Sequence, residues 1–184
     1  MQTQIFLIAP TDAEAAAFSG QLSAVLAAQT VSALLLPRGS RAENAYKDFC
    51  KAIIPIAQAS QCAVLLEGSP GLVRMLGADG LHVATGLADA QDAISALRPE
   101  LIVGVGPVDT RDDAMSIGEL EPDYLLFGAL AGPAPAAQRD MAAWWAQTME
   151  IPAVLADPAA SLADHDAAGC EFIGLAMPAL EVTR

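Results

Sequence analysis

Basic residues are scarce in this chain of 184 residues. Nine Lys+Arg, only two of them lysines (Lys47 and Lys51), stand against 22 Asp+Glu, a formal charge of -13 and a sequence pI near 4.2. A phosphate-backbone reader needs the opposite balance, so nucleic acid is excluded as an expected partner. Cysteine is sparse too. Cys50, Cys62 and Cys170 are odd in number, widely spaced and without the close Cys/His pairs of a zinc site, so they read as reduced and mostly buried. Long apolar runs are missing. Mean hydropathy is +0.41, yet runs such as Ile5–Ala9 and Ser32–Leu36 fall far short of the roughly 20 residues that span a bilayer. No basic segment precedes the first apolar run, which stops at Pro10 and Asp12; no secretory signal is read, and a cytoplasmic location is the expectation.

What is there in quantity is hydrophobic residue, 54% of the chain, distributed in short blocks. Eight of them read as strands: Gln4–Ile8, Ser32–Leu36, Cys62–Leu66, Gly80–Val83, Leu101–Val105, Tyr124–Phe127, Ala153–Leu155 and Phe172–Leu175. Most are near-continuous rather than alternating, the pattern of parallel strands buried on both faces. Between them the spacing becomes helical. Helices are expected after a cap at Asp12, over Ala13–Ala28, and over Glu43–Gln58, Ser69–Leu76, Leu87–Leu97, Thr110–Glu119, Pro135–Met149 and Ser161–Ala168. Eight strand–helix units without a linker predict a single α/β domain over residues 1–184, a small (β/α)8 TIM barrel. An open doubly wound sheet is the competing architecture and would leave two of the runs as loops.

Gly77-Ala78-Asp79-Gly80-Leu81-His82 resembles the Gly-Ala-Asp-Gly-Val-His segment of the thiamine phosphate synthases and thiazole tautomerases. Leu101–Val105 with Asp112-Asp113-Ala114, Pro122–Gly128, and Ile151–Val154 with Ala168-Gly169 are similar to later segments of that family in the same order. The resemblance implies a (β/α)8 barrel and a part in thiamine biosynthesis. It also implies departures at the family's anion and metal positions. Where the family has Gln-Leu-Arg-Glu-Lys this chain reads Leu35-Leu36-Pro37-Arg38-Gly39, and where it has Ile-Asn-Asp-Arg, with a magnesium-binding aspartate, the chain reads Leu66-Glu67-Gly68-Ser69. The Gly-Gln after the histidine, followed in the family by a second magnesium ligand, gives way to Ala84–Leu87, leaving Asp89 as a substitute only if the loop shifts. The Ser-Thr-His-Ser loop is replaced by Gly106–Asp109, the phosphate-binding Gly-Gly turn by Asp157-Pro158, and Val-Ser-Ala-Ile by Met177–Leu180; no lysine lies in 128–135. Together these imply a superfamily member that has lost its pyrophosphate and magnesium ligands, with magnesium needed only if the site is active.

On a parallel barrel the strand C-termini point into the site. They carry Glu67 and His82, expected as an acid–base pair, and Arg38, Asp109, Gly128 and Asp157, expected to bind a small-molecule ligand; no metal site is assigned. The functions expected are small-ligand binding by a divergent member, thiamine phosphate synthesis through an altered site, or metal-independent isomerisation of a heterocycle by Glu67 and His82. His165, between Asp164 and Asp166, is expected on a solvated helix face. Of the adjacent Trp144 and Trp145, about 100° apart on a helix, one is expected to pack inward and the other to cover a neighbour or a partner in a homodimer.

Overall fold

All eight apolar runs form strands in the computed structural model, which describes residues 2–177. The strands are β1 (Gln4–Ile8), β2 (Ala33–Leu36), β3 (Ala63–Leu66), β4 (Gly80–Val83), β5 (Ile102–Val105), β6 (Tyr124–Gly128), β7 (Ala153–Ala156) and β8 (Phe172–Ala176). Each pairs in parallel with the next, and β8 returns to β1, closing a barrel. The helices α1 (Ala15–Ala28), α2 (Glu43–Ala59), α3 (Pro70–Leu76), α4 (Leu87–Leu97), α5 (Arg111–Gly118) and α6 (Ala136–Thr148) follow β1 to β6. The fold is therefore the expected small (β/α)8-type barrel, with six helices among the described residues.

The near-continuous apolar runs find their explanation in two cores. Val64, Leu66, Val103 and Leu125 face outward to the helices, whereas Phe6, Leu35, Leu65, Tyr124, Leu126 and Val154 fill the barrel interior. Successive side chains of one strand thus enter different apolar layers, as strand pleating requires. Trp145 packs inward at 1% exposure and donates through Nε1 to Ile151 O at 2.9 Å, while half-buried Trp144 lies under Arg111 at 4.6 Å.

Acidic residues just before β4, β6 and β8 tie the barrel's N-terminal end. Asp79 Oδ2 accepts the Val64 N–H at 2.7 Å, Asp123 Oδ2 the Val103 N–H at 2.8 Å, and Glu171 Oε2 the Ala153 N–H at 2.8 Å. Each carboxylate supplies an acceptor to the start of the preceding odd strand, β3, β5 or β7. The aspartate of Gly-Ala-Asp-Gly is in this structure a strand cap.

Two expectations about helices are corrected. Residues 161–168 form turns, because the side chains there bond their own backbone: Ser161 Oγ accepts from Asp164 N at 3.1 Å, Asp166 Oδ1 from Ala168 N at 2.8 Å, and Ala168 and Gly169 both have positive φ. His165 consequently sits in an exposed turn with Nδ1 3.0 Å from Leu162 O, on no helix. Nor does Asp12 cap α1; the cap residue is Glu14, with no side-chain bond, and Asp12 lies in the preceding turn. The local signals hold better at α3 and α5, where Ser69 accepts from Leu72 N–H and Thr110 from Asp113 N–H.

Candidate functional site

The C-terminal ends of β2, β3 and β4 surround a cavity of about 410 Å3 lined by Arg38, Glu67, His82, Thr85, Asp89 and Asp92, among others. Arg38, Glu67 and His82 are thus brought to one cavity as the sequence places them. Glu67 is half-buried, and burial raises its carboxyl above the ordinary range, opposed in part by the Arg38 N–H, which donates to Oε2 at 3.3 Å. Its backbone is fixed from behind: Tyr46 Oη accepts the Glu67 N–H at 2.9 Å and donates to Leu36 O at 2.6 Å. The Arg38 side chain donates from Nε to Arg41 O at 3.1 Å and forms no ion pair among the described residues. Arg41 pins the same loop, donating to Pro37 O and Ala13 O while stacking on Phe49.

His82 faces the interior of the barrel at 1% exposure. Nε2 lies 2.8 Å from Gly106 O, which can only accept, so Nε2 carries the proton and Nδ1 accepts from Tyr124 Oη at 2.7 Å. Burial pushes the imidazole pKa down to about 4, and the ring is neutral at pH 7. Tyr124 reaches it only because the residue between them in the register is Gly104; a Cβ there would stand 1.9 Å from the Tyr124 ring. No hydrogen bond joins His82 to Glu67.

The other expected ligand-binding residues are dispersed around the mouth. Asp109 is exposed in a neighbouring cavity of about 340 Å3 with Thr85, Asp113 and Ser116. Asp157 lines a third cavity, but its carboxylate is 2% exposed in residue terms and engaged twice, by the Ala134 N–H at 2.9 Å and by Arg139. It ties the β7 end to the loop before α6. Gly128, at φ +104°, donates its N–H to Gln138 Oε1 at 3.0 Å, and a Cβ there would lie 2.1 Å from Ala156 O. Of Met177–Leu180, only Met177 lies within the described residues. Among the described residues no three His, Cys, Asp or Glu side chains gather to hold a metal, and no helix is long and apolar enough to cross a membrane.

Tyr46, Tyr124, Arg41 and Arg139, which hold these groups in place, are absent from the sequence expectations. Their partners are up to 42 residues away in the chain, and only the strand register reveals them. Gly104, a small residue on β5 opposite an aromatic on β6, is the one local hint.

A closed eight-stranded parallel barrel with charged side chains collected where β2–β5 end defines an α/β-barrel protein of the kind that works at the C-terminal face. The comparisons with known proteins narrow this class. The family model described as thiamine monophosphate synthase matches residues 5–158. The thiamine-phosphate synthase of Rhodospirillum centenum is 31% identical over 156 residues, 82% of this chain and 75% of that protein, and that of Hyphomonas neptunium is 30% identical over 164 residues, 83% and 74%. Thiamine phosphate pyrophosphorylase from Pyrococcus furiosus superposes with a TM-score of 0.76 at 14% identity, covering 97% of this chain and 92% of that one; an Escherichia coli K12 aldolase gives 0.66 over 95% and 75%, also at 14% identity. The chain belongs to the thiamine monophosphate synthase family.

Proposed function

We propose that this chain is a divergent member of the family that binds a small ligand lacking a pyrophosphate in the cavity around Glu67, and does not make thiamine phosphate by the family route. The observation that carries this reading is the charge of the cavity: Glu67, Asp89 and Asp92 line it and Arg38 is its one cation. A di- or triphosphorylated anion entering there meets a net negative wall, in a chain already at -13. The donors that could replace lost anion contacts are committed elsewhere, the Gly128 N–H to Gln138 and Arg139 to Asp157. Magnesium fits no better. Glu67, Asp89 and Asp92 line the cavity, but among the described residues no three such carboxylates converge on one point, so phosphate oxygens would have to complete the sphere of the ion, and the cavity disfavours phosphates. Each missing charged hydrogen bond is worth about 1–3 kcal/mol, and the loss of several removes the means to stabilise a departing pyrophosphate.

The deciding experiment incubates purified protein with the pyrimidine pyrophosphate, the thiazole phosphate and magnesium, and looks for thiamine phosphate by mass spectrometry. No product above the no-enzyme control is expected. Product that disappears when magnesium is withheld would establish the second reading, an active synthase, which the 30–31% identity to curated thiamine-phosphate synthases favours.

A further inference from the structure

We propose that the barrel has a second ligand site at its N-terminal end, away from the charged mouth, which takes a small apolar molecule of about the size of a substituted benzene. Its origin is visible in the register. Ala33 on β2 pairs with Ala63 on β3, so two neighbouring strands present only methyl groups to the lowest interior layer. Phe6, the register neighbour of Ala33 on β1, completes the wall with Ile102, Tyr124 and Phe172, and together they line a cavity of about 220 Å3 with predominantly apolar walls. An apolar cavity of about 150 Å3 in a protein core suffices to bind benzene.

This end of the barrel is also accessible. Ala33, Ile102 and Phe172 pack against the interior cluster and Ala63 lines the same cavity, yet all four are only half-buried, unlike Leu35, Leu65 and Leu126 one layer above. The polar groups at the rim are already partnered. Ser32 Oγ donates to Gln4 Oε1 at 2.7 Å, and Asp123 accepts from Val103 N–H and pairs with Arg98 at 3.5 Å. A ligand entering here needs shape and apolar surface, and the aromatic walls favour a ring. The site is independent of the reading offered for the mouth.

The test uses 4-fluorotoluene as probe, followed by 19F NMR line broadening on titration with the intact protein. Saturable broadening is expected for the wild type, weakened at least tenfold by Ala63→Leu, which fills the cavity, and unchanged by Glu67→Gln, which alters the mouth. Ala33→Val serves as a milder filling variant should Ala63→Leu fail to fold, and is expected to weaken binding severalfold. Absence of saturable broadening in the wild type, equal binding by the folded filling variant, or loss of binding in Glu67→Gln would each overturn the proposal.

Discussion

At the scale of single residues, the titratable groups Glu67, just past β3, and His82, on β4, meet different environments. Glu67 keeps contact with the cavity and a raised pKa, while His82 is buried with both nitrogens bonded. Depression of the His82 pKa from 6.5 to about 4 means that the unfolded chain binds more protons than the native state between those values. Its contribution is therefore fully present above about pH 6.5 and is lost as pH falls through that window, a loss of up to roughly 3 kcal/mol at about 1.36 kcal/mol per unit. Urea unfolding at pH 7 and pH 4.5 should show His82→Gln with a shallower pH dependence than the wild type; equal slopes would contradict the buried neutral ring. For Glu67, any isomerase turnover of a heterocycle should vanish in Glu67→Gln with the melting temperature nearly unchanged, and retained turnover would remove the carboxyl from the chemistry.

Secondary elements depend on contacts made one strand away. A Cβ at position 104 would lie 1.9 Å from the Tyr124 ring. Gly104→Ala is expected to cost about 3 kcal/mol or more, as overpacking with loss of the buried hydroxyl–imidazole bond does. Adding Tyr124→Leu should recover part of this in thermal melts, since it removes the obstructed ring; no recovery would mean that the crowding lies in the backbone. The acidic caps make a parallel prediction. Asp79→Ala, which strips the acceptor from Val64 N–H, should destabilise by about 1–2 kcal/mol, whereas Asp79→Asn, which keeps an acceptor oxygen, should cost clearly less in urea titration.

Across the whole molecule the acidic excess bears on stability and, in the function proposed above, on ligand choice. Self-repulsion at a charge of -13 opposes the compact state and is screened by salt, so raising NaCl from 10 mM to 500 mM should stabilise the protein by about 1 kcal/mol, roughly 2–4 °C in Tm for this chain length. A fall in Tm over that range would show that attractive ion pairs outweigh repulsion. In the function proposed above, the same field is what turns polyphosphates away from a mouth carrying Glu67, Asp89, Asp92, Asp109 and Asp113.

The strand set and the class of fold are legible in the order of amino acids alone, because doubly buried parallel strands must be apolar along their length and so stand out as short continuous runs. Arg38, Glu67 and His82 were expected together at the mouth; all three line one cavity there, but the His82 ring turns into the barrel interior, bonded to Tyr124 and Gly106. Helix status between β7 and β8 was not legible in that order, since the apolar spacing of 161–168 coexists with Ser161 and Asp166 side chains that capture the backbone. What each charged group has left to offer depends instead on its neighbours in the folded barrel. Whether His82 meets solvent or Tyr124, whether Asp157 meets a ligand or Arg139, and whether two alanines leave a void all follow from the register across strands, and local spacing carries no record of that register.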